Sequence, residues 1–324
     1  MLNTFLRRIV GSLAFATALA YAGSAVAEFP ERSLRMVVPF SPGGGTDMIA
    51  RALGAEMAKE LGQPIVIENK PGAGTMIGTD NIAKSPPDGY SLLIASFAHA
   101  INPSLQPQLP FGSNDAFAPV ALIARGPNVL VVRAESPYNS LEDLLAAAKA
   151  NPGQLTYASQ GVGTSAHLAG EMFSNLADVK LTHVPYRGAG PALTDLLGGH
   201  VDMMFATAAA VSTYSNGEKL RMLGVTTTQP SHAFKDVPPI SDSVPGYRVE
   251  SWYGIYVPAK TPPAIIDRLH EAAVKASRSA AFSEKLEHEG LVISAGTPQE
   301  LEDYVKNEEK LWATIVKENG ISPN

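Results

Sequence analysis

The stretch from residue 34 to residue 47 constrains the fold more than any other part of the chain. An apolar run at 34–40, LRMVVPF, fits a buried strand, and the three glycines at 43–45 follow it. Thr46 and Asp47 can then open a helix. The apolar residues after them recur at helical spacing: Ile49, Leu53, Met57 and Leu61. A strand, a glycine loop and a helix in this order place unpaired N–H groups at the positive end of a helix, which suits an anion.

Short apolar segments alternate with amphipathic ones along the rest of the chain. The apolar segments predict strands at 34–40, 64–68, 91–96, 119–124, 128–133, 155–159, 180–185, 201–206, 220–226 and 252–257. The amphipathic segments predict helices at 47–61, 75–84, 141–150, 165–176, 190–198, 263–277 and 298–318. Such alternation is typical of α/β layers with largely parallel sheets, so we expect an α/β fold.

The first 27 residues have the composition of a secretory signal peptide. Arg7 and Arg8 precede a short apolar run at 9–20, and the small residues Ala25-Val26-Ala27 fit a cleavage site. The alternative is a membrane anchor, but the run is short for a membrane span. We therefore expect export by the general secretory route, cleavage after Ala27 and release into the periplasm.

The composition excludes several classes of function. Removing the first 27 residues takes the formal net charge from −6 to −8, since Arg7 and Arg8 are the charged residues there. A mildly acidic exported protein is a poor partner for nucleic acid or anionic lipid. The chain has no cysteine, which excludes disulfides and cysteine-ligated zinc, and its histidines show no metal-binding spacing. We expect no cofactor and no metal.

The length of the chain and its lack of a linker predict two domains joined by strands. The 297 residues that remain after cleavage suit two domains. We place short strand crossings near 125–130 and 248–256, an arrangement common around a hinge. The predicted first domain is discontinuous, 28–127 and 254–324, and the second domain, 128–253, is inserted into it.

Two further glycine-rich junctions resemble the first one. Residues 161–165, GVGTS, lie between a predicted strand and an amphipathic helix, and residues 71–78, PGAGTMIG, have glycines that allow close backbone approach. A plain turn or a helix cap explains each junction equally well. The first loop has neither the Gly-Lys-Ser/Thr of a phosphate loop nor dinucleotide spacing, and Ala166 stands where the second loop would need glycine. Together the junctions indicate a cleft for a small carboxylate.

The serines and histidines form no recognisable catalytic pattern. The sequence has no G-x-S-x-G motif, and Ser165 and His167 are two residues apart on a predicted helix, so their side chains diverge. Arg187 precedes the predicted helix 190–198, where it can clamp a carboxylate with two hydrogen bonds or be a solvated surface charge. We therefore expect a binding protein and not an enzyme.

The order of several short motifs resembles one family of binding proteins over the whole mature chain. The motifs are VPFSPGGGTDMIAR at 38–51, NKPGAG at 69–74, SPPDGY at 85–90, HVPYRG at 183–188 with Pro191-Ala192 and Asp195-Leu196-Leu197, GHVD at 199–202, WYG at 252–254 and KLW at 310–312. Each motif is weak alone, and their order and spacing together are specific. On these motifs the chain resembles the Bug-type extracytoplasmic solute receptors of tripartite tricarboxylate transporters.

This resemblance implies a periplasmic-binding-protein-like fold of type II, a Venus flytrap with two α/β domains and a hinged cleft. It implies that main-chain amides, hydroxyls and ordered water hold a small organic carboxylate, which the receptor delivers to integral membrane transporter subunits. The first-domain wall would contain Ser41, Gly43, Gly44, Thr46 and Asp47, with Thr75, Met76, Ser96 and His99 nearby. The second-domain wall would contain Gly161, Gly163, Thr164, Ser165, Arg187 and Thr207.

Three departures from the family pattern bear on the ligand. Thr75 and Met76 stand where the family often has glycine and a small polar residue. Ala206-Thr207 stands where many members have Asp after a phenylalanine, and residues 240–243 lack the usual Thr-x-x-Glu. Without that Asp no carboxylate would face a ligand ammonium group, and Met76 makes the wall more apolar. We therefore expect a carboxylate without an amino group, aromatic or aliphatic.

Two other functions are compatible with the same features. A receptor of this kind can signal to a membrane sensor instead of serving a transporter, and its ligand site would look the same. A periplasmic enzyme that acts on a small carboxylate through Asp47 or His99 is the less favoured alternative. We expect a monomer with no nucleic-acid partner.

Overall fold

The computed structural model of the protein describes residues 29–106, 108–214, 217–288, 290–318 and 321, and the expected signal peptide lies outside them. The strands are β1 (Leu34–Val38), β2 (Ile65–Asn69), β3 (Ser91–Ser96), β4 (Phe117–Arg133), β5 (Thr156–Ser159), β6 (Thr182–Pro185), β7 (Met203–Thr207), β8 (Leu220–Val225), β9 (Glu250–Pro258) and β10 (Val292–Gly296). The helices are α1 (Gly45–Leu61), α2 (Met76–Ala83), α3 (Phe97–Leu105), α4 (Leu141–Ala150), α5 (Ser165–Leu176), α6 (Ala189–Leu197), α7 (Ala208–Val211), α8 (Pro263–Ser277), α9 (Ala280–His288) and α10 (Pro298–Glu318). None of the described helices is both long and apolar enough to cross a lipid bilayer.

The strands form one curled, mixed sheet centred on β4. Along the hydrogen-bonded path the order is β2-β1-β3-β9-β4-β7-β5-β6, and β8 and β10 also pair with β4. β1 runs parallel to β2 and β3, and β5 runs parallel to β6 and β7. β9 is antiparallel to both β3 and β4. The sheet therefore has two parallel groups of strands, linked through antiparallel β9 and β4.

β4 is 17 residues long and changes its partners in the middle. Residues up to Pro127 pair with β9, whereas residues from Asn128 onward pair with β7 and β8. This change coincides with the boundary at 127/128 that the sequence predicts between two domains. From Arg32 onward the residues nevertheless cluster as one unit. The division into two domains and its boundaries stay a prediction.

Side chains buried on both faces of the sheet explain why several strands are continuous apolar runs. In β3 the residues 92–94 are fully buried, and in β4 the same holds for 129–132, as expected for strands covered on both sides. The C-terminal helix α10 packs on β4 and on α3, where the ring of buried Trp312 meets Phe97 of α3 edge-on at 4.9 Å. The core therefore lies between the sheet and the surrounding helices.

Most of the predicted elements are confirmed. The helices with the predicted bounds are 141–150, 165–176, 263–277 and 298–318. The strands expected at 119–124 and 128–133 are wrong as separate elements, because β4 runs through Gly126 and Pro127 without a turn. Four elements have no counterpart among the predicted ones: α3, α7, α9 and β10. Helix α3 contains Pro103, which weakens a helical pattern, and β10 is mostly half-buried or exposed, so it lacks an apolar run.

Candidate ligand-binding site

The first glycine loop joins β1 to α1 and is shaped by an aspartate of the helix. Gly43 has φ +83°, which glycine adopts without strain, and its N–H donates to Asp47 Oδ2 at 3.0 Å. Gly44 precedes α1 in an extended conformation, and Thr46 lies buried in the first turn. The first N–H groups of a helix have no partner within it. This end of α1 therefore offers main-chain donors.

The protein itself occupies both carboxylate oxygens of Asp47. Arg51 Nε donates to Oδ2 at 3.0 Å, Arg51 Nη2 lies 3.0 Å from Oδ1, and Asn69 Nδ2 donates to Oδ1 at 2.9 Å. Burial raises the pKa of Asp47, but these hydrogen bonds and the charge of Arg51 outweigh burial and hold the pKa below its ordinary value. The carboxylate thus supports the first loop from within, which differs from the ligand contact expected from the sequence.

The second glycine loop joins β5 to α5, and its glycine N–H groups are also occupied. The N–H of Gly161 donates to Ser159 Oγ at 3.1 Å, and that of Gly163 donates to His167 Nδ1 at 3.2 Å. Thr164 Oγ1 donates to the Gly161 carbonyl at 2.6 Å. Both glycines have positive φ, +134° and +77°. These two amides therefore shape the loop. They are not free donors, which differs from the ligand contact expected at Gly161 and Gly163 from the sequence.

Two stacked histidines lie beneath the second loop. The rings of His167 and His183 are 4.2 Å apart, and His183 Nε2 is 2.6 Å from Ser159 Oγ. Burial lowers the pKa of His167 to about 4. Burial, with the charge of His167, lowers that of His183 to about 3. Both imidazoles are therefore neutral at neutral pH, so His167 Nδ1 can accept the hydrogen bond from the Gly163 N–H.

The first loop packs directly on the start of α6 and the end of β7. Ser41 donates from its N–H and its Oγ to the Arg187 carbonyl, at 3.1 and 2.8 Å. A Cβ added to Gly44 would lie 3.4 Å from the Cβ of Ala189. One added to the neighbouring glycine at 45 would lie 2.8 Å from Thr207 Oγ1. Residues from distant parts of the sequence therefore meet at the N-terminus of α1.

The third glycine loop, residues 72–75, packs on the second one. A Cβ on Gly74 would lie 2.9 Å from the carbonyl oxygen of Val162. Asn102, from α3, donates from Nδ2 to the Gly74 carbonyl at 3.0 Å and to Thr75 Oγ1 at 3.2 Å. The second and third loops are thus in contact. The first loop reaches the same region through Arg187, next to Tyr186, whose carbonyl oxygen would lie 3.2 Å from a Cβ on Gly161.

A cavity of about 350 Å³ opens between the second loop, the third loop and the end of β1. Thr207 and the residues of the first glycine loop, 41–47, do not belong to its lining. The side chain of Arg187 is exposed at its edge, and Thr75 and Ile77 form part of the wall. The remaining lining residues are Pro39, Phe40, Pro71, Gly72, Ala73, Gly74, Gln160, Gly161, Val162, Pro185 and Tyr186. No aspartate or glutamate belongs to this lining. The cavity therefore combines apolar walls, main-chain groups and one cationic side chain.

Three buried side-chain oxygens around the loops have no hydrogen-bond partner among the described residues: Asn102 Oδ1, Gln160 Oε1 and Thr207 Oγ1. A buried group left unpaired costs about 1–3 kcal/mol. The Thr207 hydroxyl can donate to a carboxylate, whereas the two amide oxygens need a donor such as ordered water or a ligand hydroxyl. Asn102 and Gln160 were not predicted. Gln160 directly follows the predicted strand 155–159, a position that could have identified it.

Several predicted residues lie elsewhere. The ring of His99 packs in the core against Phe117 and Tyr256, where burial lowers its pKa to about 4. Ser96 precedes α3 and is half-buried. Met76 begins α2 but does not line the cavity, so Ile77 provides the apolar wall that the sequence assigned to Met76.

Ser165 is also turned away from the loops. It is 2 % exposed and hydrogen-bonded within the protein, to Asn128 and Ser251. Across the described ranges, no group of three or more His, Cys, Asp or Glu side chains could hold a metal ion.

Comparison with known proteins identifies the family. A family model described as "Tripartite tricarboxylate transporter family receptor" matches residues 49–321. The chain belongs to this family. It is 35% identical over 295 residues to protein BugT of Bordetella pertussis, covering 90% of each chain. The resemblance to Bug-type receptors is thus confirmed.

Solved structures of similar proteins extend the comparison. An R. palustris protein solved with adipate has a TM-score of 0.87 and 34% identity, over 92% of this chain and 100% of that one. MatC from Rhodopseudomonas palustris, solved with bound malate, has a TM-score of 0.84 and 32% identity, over 89% of this chain and 100% of that one. The expected periplasmic-binding-protein-like α/β fold is therefore confirmed, and the protein is a solute-binding receptor of the tricarboxylate transporter type.

Proposed function

We propose that this receptor captures a small organic carboxylate between its three glycine loops and delivers it to the membrane subunits of a tripartite transporter. Two similar receptors hold dicarboxylates, adipate and malate. The receptor acts as a monomer in the periplasm after cleavage behind Ala27. It binds its ligand without converting it.

The buried hydroxyl of Thr207 carries this proposal. Thr207 is 5 % exposed, its Oγ1 has no partner among the described residues, and it lies beside Gly45 at the N-terminus of α1. The positive end of this 17-residue helix favours a negative group. A carboxylate at this place would accept hydrogen bonds from the hydroxyl and from the first-turn N–H groups. No basic side chain is required for this contact.

The strength of such contacts is sufficient for a transport receptor. A hydrogen bond to a charged group contributes about 1.5–3 kcal/mol, and association costs at least ~4 kcal/mol. A micromolar complex requires about 8 kcal/mol net. Four or five hydrogen bonds from main-chain amides, hydroxyls and water therefore reach micromolar affinity, and closure of the loops strengthens each by excluding water.

The site favours carboxylates that carry no ammonium group. Thr207 lies outside the 350 Å³ cavity, and neither place presents a free carboxylate. The cavity lining contains no acidic residue, and at the N-terminus of α1 both oxygens of Asp47 are held by Arg51, Asn69 and Gly43. A ligand ammonium group would therefore lose its water without gaining a carboxylate partner, which is unfavourable. The ligand class is a small carboxylate with an aliphatic, aromatic or hydroxylated body.

Calorimetry on the purified mature protein tests this function. We expect binding to at least one of adipate, malate, citrate and benzoate, and none to aspartate or glutamate. A protein that binds none of the four carboxylates, or that prefers the amino acids, contradicts the proposal. NMR spectra of the recovered ligand should be unchanged after incubation, and turnover would indicate an enzyme. N-terminal sequencing of the periplasmic protein should begin at Glu28, and light scattering should give a monomer mass.

A further inference from the structure

A buried ring of hydrogen bonds joins α5 to strands β4 and β9. Asn128 Nδ2 donates to Ser165 Oγ at 3.1 Å, and Ser251 Oγ donates to Asn128 Oδ1 at 2.9 Å. The two serine hydroxyls are 2.8 Å apart. All three residues are at most 3% exposed. Such a ring of polar side chains in a core is held together by its own hydrogen bonds.

The direction of every bond in the ring follows from proton counting. The second Nδ2 proton of Asn128 points to the Phe205 carbonyl at 2.7 Å, which fixes the nitrogen end of the amide. Ser251 uses its one hydroxyl proton on Asn128, so Ser165 must donate to Ser251. Each donor in the ring therefore has an acceptor. Removing one of the three side chains leaves a buried hydrogen-bonding group unpaired, which costs free energy. The closed ring is therefore strongly preferred over an open one.

The main chain of Asn128 is fixed as well. Its N–H donates to Thr226 Oγ1 at 2.7 Å, and its carbonyl accepts from the Thr226 N–H at 2.9 Å. Thr226 Oγ1 donates in turn to the Val249 carbonyl at 2.7 Å, just before β9. Asn128 therefore sits at the place where β4 changes partners, and it cannot shift without moving the chain that enters β9.

We propose that Asn128 is a positioning residue for the second glycine loop. Ser165 is the first residue of α5, directly after the loop 161–164, so the ring anchors the loop to the two strands that link both halves of the sheet. The anchoring couples the shape of the loop to the arrangement of β4 and β9. The expected effect of the ring on ligand affinity rests on the function proposed above. Its effect on the ordering of the loop in the ligand-free protein does not depend on that function.

Amide hydrogen exchange on the ligand-free protein tests the anchoring. Ser251→Ala breaks the ring without touching the loop, and Ser277→Ala is the matched control, since Ser277 is another fully buried serine whose Oγ donates to the Ala273 carbonyl in α8. We expect exchange at Gly161 and Gly163 to become at least about tenfold faster in Ser251→Ala and to stay unchanged in Ser277→Ala. Equal exchange at both glycines in the two variants overturns the proposal.

Calorimetry with adipate and malate tests the coupling to binding. We expect Ser251→Ala to weaken binding about tenfold. We expect Ser277→Ala to leave the affinity unchanged, although it lowers the melting temperature by the same amount as Ser251→Ala. Ser165→Ala removes the ring from the helix side and should repeat the result if Ser251→Ala does not fold. Unchanged affinity in the ring variants overturns the coupling. If the unmodified protein binds neither acid nor any other carboxylate, the proposed function fails, and hydrogen exchange still decides the role of Asn128.

Discussion

The first and second glycine loops share one hydrogen-bond pattern but use acceptors of different charge. In each, a glycine with positive φ donates its N–H to the side chain four residues later in the following helix: Gly43 to Asp47 at 3.0 Å and Gly163 to His167 at 3.2 Å. The first acceptor is an ionised carboxylate paired with an arginine, and the second is a neutral imidazole. The shape of such a loop therefore depends on an acceptor at that position and not on its charge.

Gly163→Ala should have the largest effect on binding. A Cβ at this φ of +77° is strained, and it would lie 2.9 Å from Asn102 Oδ1. We expect the second loop to shift and carboxylate affinity, measured by calorimetry, to fall about 100-fold. Gly62→Ala is the matched control, because Gly62 has φ +68° with open space around it. An equal loss of affinity in both variants would show that the contact with Asn102 has no role.

Asp47→Asn should reduce stability more than the loss of an exposed ion pair does. An amide can accept bonds at one end only, so the Gly43 N–H or an Arg51 donor loses its partner. We expect the free energy of unfolding, measured with urea, to fall by about 1–3 kcal/mol. Asp88→Asn removes an exposed ion pair with Arg32 and should cost less than about 1 kcal/mol. Similar losses in the two variants would contradict a special role for Asp47.

Acid should affect the two loops in different pH windows. The folded pKa of His167 is lowered from 6.5 to about 4, so the unfolded chain binds its proton first and stability falls as pH drops from 6.5 towards 4. The pKa of Asp47 is lowered from 3.8, so its contribution is lost only below that value. His167→Gln should reduce the slope of the stability profile between pH 6.5 and 4, as measured by urea titrations, and the remaining slope comes from His99 and His183. An identical slope in the unmodified protein and in His167→Gln would refute this assignment.

Arg187→Ala should have the smallest effect. The side chain is exposed at the edge of the cavity, so water and salt screen its charge. We expect a loss of affinity of about two- to threefold at low salt and almost none at high salt. Lys149→Ala, at an exposed lysine of α4 outside the cavity lining, should change nothing. A loss above tenfold would mean that Arg187 clamps the ligand directly.

The fold could be predicted from the sequence because its signals are local. Residues 34–38 and 165–176 are a strand and a helix, as their apolar spacing indicates. The meeting of the glycine loops could also be predicted, since helix N-termini after parallel strands lie at one edge of a sheet. Helix α3 was missed because Pro103 interrupts its pattern, and with it the sequence analysis missed Asn102.

The donors that remain free for a ligand could not be predicted. Gly43, Gly161 and Gly163 look like open anion donors in the sequence, yet their N–H groups are occupied by side chains. Only a three-dimensional arrangement shows that Asp47 and His167 turn back onto their own loops. Nor does the sequence show that the hydroxyl of Ser165 is hydrogen-bonded to Ser251 of β9, 86 residues later in the chain.

The pairing of β9 between β3 and β4 has a consequence for biosynthesis. Leu93 of β3 lies opposite Tyr256 of β9, so one edge of β3 must wait for most of the chain to be made before its neighbour exists. Strands β4 to β8, by contrast, find all their mutual partners within a continuous stretch. Strands β1 to β3 and strands β4 to β8 can therefore pair among themselves early, whereas the edge of β3 stays open until β9 exists. Pairings of such long sequence separation form slowly, so the β3–β9 contact is a late step in folding.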